Sequence, residues 1–202
     1  MMDPKDIRLG KVKVLTGADL HALDLRGADL RDADLRGANL AQANLRGAAL
    51  AGANLSGSNL RAVLAGADLS GANLQAADCR NADLRGALLL DTNVHQLSLA
   101  GAFLAGAVLS QLDLSGVDLR GADLKGTQLQ RSLLWQADLL GANLSGADLT
   151  HAQLEEANLT GAILRGANLT GANLLCAQLE DADFEGAILV NACLQGTLLQ
   201  KN

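Results

Sequence analysis

Histidine, cysteine, serine and carboxylate side chains are the groups through which this chain could do chemistry, and none is spaced for it. The three histidines, His21, His95 and His151, lie far apart in sequence. A metal site needs ligands that converge on one point, so they are expected on the surface with no metal. The three cysteines, Cys79, Cys176 and Cys193, are odd in number and form no CxxC pair. That usage fits reduced thiols in a cytosol better than a disulfide framework. Serines are scattered and expected to point outwards with no histidine partner on the same side, so no nucleophile–base pair is expected. Glycine-containing stretches imitate phosphate loops, but no helix follows them to supply a dipole. The residue types therefore predict no catalytic group, no cofactor site and no metal site: the chain is expected not to be an enzyme.

Composition narrows the architecture. Of 202 residues, 49% are hydrophobic but only 1% aromatic: two Phe, one Trp and no Tyr. A core of ordinary type leans on aromatics for buried area; here Leu and Ala must supply it. One Pro against 22 Gly excludes collagen-like and Pro-rich linker sequences. The formal charge is −6. Basic and acidic residues balance at 11 and 11 over residues 1–100, then fall to 5 against 11 over 101–202. Direct nucleic-acid binding calls for a basic face, which an acidic second half does not offer. The polar start, Met1 to Asp6, lacks the apolar stretch of a signal peptide. The longest uncharged apolar run, Leu99 to Leu109, has 11 residues, too few to span a bilayer. A cytoplasmic protein with no membrane partner is expected.

What must position every side chain is a repeat. From Leu15 an apolar residue recurs at every fifth position to Leu60; the frame slips by one, resumes at Leu64 and runs to Leu199. This makes 38 units, with only Cys79, Val94 and Phe184 replacing Leu at the centre. Ala is preferred two residues before the centre, Asp or Asn one before, and Gly often two after. A helix would smear this period around its circumference and a strand alternates with period two. The period instead requires a coil that turns one corner per unit, with Ala and Leu inside. The position two after the centre is Gly at residues 27, 47, 66, 86, 106, 126, 146, 166 and 186, a spacing of 20 except for 19 across the slip. One unit in every four is thereby distinguishable from its neighbours. The slip at 60–64 is either one missing residue or a small bulge; the frame is the same for both.

Units such as Ala28-Asp29-Leu30-Arg31-Asp32 and Ala167-Asn168-Leu169-Thr170-Gly171 resemble the A(D/N)LXX motif of the pentapeptide repeat family. The resemblance covers residues 13–199, with 1–12 as an N-terminal cap segment and 200–202 as a short tail. It implies an all-β fold: a right-handed quadrilateral parallel β-helix, four units per coil. Thirty-eight units then give about nine coils and, at roughly 4.8 Å per coil, a rod about 45 Å long.

On such a rod, Asp stacked over Asp would repel. The chain exchanges Asp19 for Asn39 and Asp148 for Asn168 one coil on; Asp118 and Asp138 keep both charges, with Arg120 at hand to neutralise them. Cys79 takes a centre and is expected to be a core thiol. Cys176 and Cys193 fall on neighbouring coils, offset by more than roughly 7 Å, too far for an unstrained disulfide. A threonine ladder of the ice-binding kind stops at Thr150 and Thr170. The first dozen residues, ending in Lys11-Val12-Lys13-Val14, are expected to close the N-terminal end. The C-terminal coils, through Leu194, Leu198 and Leu199, are expected to pair end to end in a homodimer, since an open coil leaves a strand edge unpaired.

Two outward groups stand out. Leu88, Leu90, Phe103, Val108, Leu133, Trp135 and Leu140 are apolar where the repeat faces solvent. Beside them Leu97, Leu112 and Val117 are oversized at inward Ala positions. Exposed apolar clusters and tryptophan mark partner surfaces, so a protein-binding scaffold or regulatory module is the leading expectation. The second group, Glu155, Glu156, Glu180, Asp181, Asp183 and Glu185, is acidic. Some pentapeptide repeat proteins mimic duplex DNA, bind DNA gyrase and other type II topoisomerases and protect them from inhibitors; resemblance makes that the alternative. Those members carry Phe at many centres, whereas this chain has one, Phe184. Its −6 charge is also sparse beside DNA, with one charge per ~1.7 Å. A purely structural repeat with no dedicated site is the third reading.

Overall fold

The computed structural model describes residues 3–200, so the outer ends of the cap and tail segments lie outside it. Its backbone is a parallel solenoid in which each five-residue unit contributes one bridged residue, the Asp/Asn position, and one corner. Bridges pair each unit with the one 20 residues on, as in Asp19–Asn39 and Asp118–Asp138. Four columns result. Face 1 runs through Asn73, Asn93, Asp113 and Leu133; face 2 through Asp78, Ser98, Asp118 and Asp138; face 3 through Asp83, Phe103 and Asp123; face 4 through Asp68, Leu88, Val108 and Gln128. Each face is too short for an extended strand because a corner follows every bridge.

The motif is explained by where its five N–H groups go. In the unit around Leu25, the Asp24 carboxylate accepts from the Arg26 N–H at 3.3 Å, an Asx-type turn. The Ala28 N–H closes the corner onto the Leu25 carbonyl at 3.0 Å. Leu25 and Gly27 donate to Asn44 and Arg46 of the next coil, and Asp29 donates back to Arg8. Every amide of a unit is thus satisfied, as buried or half-buried backbone requires. The corner residue two after each centre has φ near +60°, whether it is Gly27 or Asp32. With the four-residue hydrogen bond this is a type II turn, which favours Gly or Asn there. Space is open around an added Cβ at Gly27, so conformation rather than crowding selects glycine on that corner.

At 60–64 the corner is one residue short. The Ala62 N–H bonds to the Leu60 carbonyl at 2.7 Å, a three-residue γ-type turn. The bridge spacing drops to 19 for Asn44–Val63, Ala49–Asp68, Asn54–Asn73 and Asn59–Asp78, then returns to 20. Ala62 and Leu64 stay inside, so the missing residue is the left-handed one and no bulge forms.

Leu and Ala fill the tube, nearly all fully buried from Leu25 to Leu174. The inward positions also take polar residues, which corrects the expectation that serines point outwards. Ser58 and Ser132 are buried and donate to the Leu55 and Leu129 carbonyls of their own corners at 2.7 and 2.8 Å. Thr92 and Thr127 donate to the preceding coil, to Leu69 and Leu104.

Within the N-terminal segment expected to close the first coil, the closing element is helix α1, Pro4–Arg8. Asp3 caps it by accepting from the Lys5 N–H, Pro4 opens it, and Ile7 plugs the tube at 1% exposure. Val14 is 73% exposed. Gly10 lets α1 meet the coil: a Cβ there would sit 2.8 Å from the Asp29 carbonyl. At the other end, Phe184, Leu189, Leu194 and Leu199 are only half-buried, and Leu198 faces solvent.

Candidate functional site

The four columns divide the apolar group. Leu88, Leu90 and Val108 share face 4, with Leu88 bridged directly to Val108. Phe103 lies around the corner on face 3. Leu133 and Trp135 lie on face 1 and Leu140 on face 2. All are exposed except half-buried Val108. They are one belt around the rod's middle, not one patch. Val63, Ile163, Ile188 and Val190 are likewise exposed and were not singled out in the sequence; a count of apolar residues at the Asp/Asn position finds Val63, Ile163 and Ile188.

An apolar residue at that position has a local cost. It cannot accept the amide two residues on, so Leu88, Phe103 and Leu133 leave the Leu90, Ala105 and Trp135 N–H groups without the side-chain acceptor that Asp24 gives Arg26. A lost hydrogen bond of this kind is worth about 0.5–1.5 kcal/mol.

Beside this belt the coil-to-coil ladder opens. Face 1 is bridged from Val14 to Cys193 except between Asn93 and Asp113. Five hydrogen bonds of the repeat are missing there: from the Asp91, Val94 and Gln96 N–H groups to Ser110, Asp113 and Ser115, and from Asp113 and Asp118 back to Thr92 and Leu97. The coils above and below are intact, with Leu74 donating to Asn93 and Leu114 to Leu133 at 2.8 and 2.7 Å. The cause is inside. Thr92 stacks under Leu112 at one corner of the face, and Leu97 under Val117 at the other, all four buried where Ala is usual. Two Ala fit a ladder spacing of roughly 4.8 Å; these pairs wedge it apart. A cavity of about 370 Å³ results, lined by residues including Thr92, Asn93, His95, Asp113, Ser115 and Trp135.

The acidic group is also divided. Glu155 and Glu156 lie at the corner of faces 1 and 2, Glu180 and Asp181 at the next corner one coil on, and Asp183 and Glu185 on face 3. Arg165 pairs with both of the last two, 2.5 Å from Asp183 and 3.3 Å from Glu185. Glu155 accepts from Asn173 at 2.6 Å and Glu156 from Gln136 at 2.8 Å. Arg26, Arg31, Arg36, Arg80, Arg85 and Arg120 each clamp the Asp two residues earlier through two hydrogen bonds. The clamp holds the carboxyl below its ordinary range, down to about 2 for Asp24. Burial pushes the Cys79 thiol up to about 12. His21, His95 and His151 are on the surface, and the described residues contain no cluster able to hold a metal ion. No helix among them is long and apolar enough to cross a membrane.

A five-residue unit, a 20-residue register and a left-handed residue at each full corner define a four-sided repeat solenoid. The family model for pentapeptide repeats matches in 8 copies, over residues 14–32, 28–63, 61–89, 89–126, 122–161 and 162–200. The chain belongs to the pentapeptide repeat family. Among solved structures it is similar to HetL, a pentapeptide repeat protein involved in heterocyst differentiation regulation from the cyanobacterium Nostoc. That match has 38% identity over 92% of this chain and 88% of that one, with a TM-score of 0.33. A pentapeptide repeat protein of the Arabidopsis thaliana thylakoid lumen is 34% identical over 50% of this chain and 67% of its own, TM-score 0.38. Full-length QnrB1, a plasmid-mediated fluoroquinolone resistance protein, is 20% identical over 94% and 92%, TM-score 0.40. A comparison with curated proteins returns no significant match.

Proposed function

We propose that this chain is a non-enzymatic binding module of the cytoplasm: a right-handed rod of about nine coils that presents a surface to another protein. One observation carries the reading. The one opening in the face 1 ladder among the described residues lies in the same coils as the apolar belt and next to Trp135, 48% exposed. Stability alone favours neither feature, since each forfeits hydrogen bonds the repeat otherwise makes. Affinity capture from native lysate with wild-type and Trp135→Ala protein tests it: a partner retained only by wild type supports it, and one retained equally by both contradicts it.

The alternative, a DNA-mimicking protector of gyrase or another type II topoisomerase, draws support from Glu155, Glu156, Glu180 and Asp181, none of which forms an ion pair among the described residues. Arg165 between Asp183 and Glu185 counts against a continuous acidic track. Such binding would weaken steeply with salt and ignore Trp135→Ala. End-to-end pairing of two copies through Leu194, Leu198 and Leu199 is a separate part of the proposal, supported by the half-exposed inward residues of the last coil.

A further inference from the structure

The opening on face 1 has a specific chemical character. Its upper wall carries the Asp113 and Ser115 carbonyls, which lack the coil-to-coil donors that Val94 and Gln96 would supply. Asp113 lines the cavity beside them; one carboxylate oxygen accepts from the Ser115 N–H at 3.0 Å, and the group is in no ion pair among the described residues. One coil higher, Trp135 lines the same cavity and is 48% exposed. No Lys or Arg lines it; His95 does, with Ser115 one coil above it in the same column, which corrects the expectation that no serine shares a side with a histidine. The lower wall offers the Val94 and Gln96 N–H groups, which an anion would use, but the Asp113 charge opposes an anion at this distance. Carbonyls, a carboxylate and an aromatic face together favour a cation with several donors.

We propose that this cleft binds the guanidinium of an arginine side chain on a partner protein. Guanidinium is planar, carries five N–H donors and no acceptor, and stacks on aromatic faces. It suits a narrow slot between coils: its edges meet the Asp113 carboxylate and the free carbonyls while its face meets Trp135. An ammonium has fewer donors, no plane and a stronger hold on water, so lysine is the poorer occupant. The wedge pairs Thr92–Leu112 and Leu97–Val117 act as positioning residues that keep the slot open. This deepens the protein-binding reading by naming the chemistry of the group received, and it rests on that reading only for what carries the arginine.

The test is an amide and indole NMR titration with N-acetyl-arginine amide, compared with N-acetyl-citrulline amide, which keeps the shape and loses the charge. Saturable shifts at the Trp135 indole N–H and the Ser115 and Gly116 amides are expected, with about tenfold or more weaker binding of citrulline. Asp113→Asn and Trp135→Ala should each weaken arginine binding severalfold; both positions are on the surface, so the spectrum elsewhere reports that the fold is kept. Equal shifts with citrulline, shifts at other faces only, or no saturation would overturn the proposal. Such a failure, with a partner still captured through Trp135, leaves the binding-module reading standing; a partner retained equally by wild type and Trp135→Ala, with arginine still bound, removes that reading and leaves this one.

Discussion

The Arg120 guanidinium lies between two stacked carboxylates, its Nε 2.8 Å from Asp118 and 3.5 Å from Asp138. One coil of parallel ladder brings those two acids together, and the Asp-Leu-Arg unit supplies the counter-charge from the same strand. The carboxyls that an arginine two residues on clamps, Asp118 among them, titrate below their unfolded value of about 3.9. Their contribution to stability is therefore complete above that value and is lost as pH falls through the folded value. The urea midpoint should stay level from pH 7 to about 5 and decline below about 4. Carboxyl NMR should find the Asp24 midpoint near 2, and Arg26→Gln should return it towards the ordinary range.

Replacing an apolar residue on face 4 by the motif's own residue should stabilise the rod. Leu88→Asn and Val108→Asn each restore an acceptor for the amide two residues on, worth about 1 kcal/mol in urea unfolding. If face 4 also contacts the partner, the same variants lose capture while gaining stability. A fall in stability would mean that these side chains pack on the rod instead.

Thiol reactivity should split two to one. Cys176 and Cys193 are exposed, and Cys79 is buried with its thiol pushed up to about 12. Thiolate is the reactive form, so native protein should take up iodoacetamide at the first two and at Cys79 only after unfolding. Rapid labelling of all three would contradict the closed core.

Sedimentation equilibrium tests pairing through the last coil. Leu198 is 61% exposed beside half-buried Leu194 and Leu199. A concentration-dependent rise towards twice the monomer mass is expected, abolished by Leu198→Asp. A constant monomer mass would remove this part of the proposal.

Much of this was legible in the residues, and for a physical reason: a solenoid repeats its environment, so spacing in sequence becomes stacking in space. The 20-residue phase of Gly66, Gly86 and Gly106 is the register of the coils, and Arg120 was expected close enough to Asp118 and Asp138 to help neutralise them. Helix α1 was not legible because its five residues carry no period, although Asp3-Pro4 is a start signal. The apolar residues were legible as outward, with Leu88 stacked on Val108, because that stacking is the 20-residue spacing itself. The face 1 opening was hidden for a subtler reason. Asn93 and Asp113 are ordinary motif residues; the signal lies in stacked inward pairs, and Thr92, the partner of Leu112, is small enough to escape notice.

Amide hydrogen exchange, read residue by residue, tests this opening most directly. The Asp91, Val94, Gln96, Asp113 and Asp118 amides should exchange about a hundredfold or more faster than the ladder amides of Leu74, Asn93, Leu114 and Leu133 around them. The quadruple variant Thr92→Ala, Leu97→Ala, Leu112→Ala and Val117→Ala should close the gap and slow all five. Uniform protection across these amides in the wild type would contradict an open slot on face 1, and with it the binding surface built around Trp135.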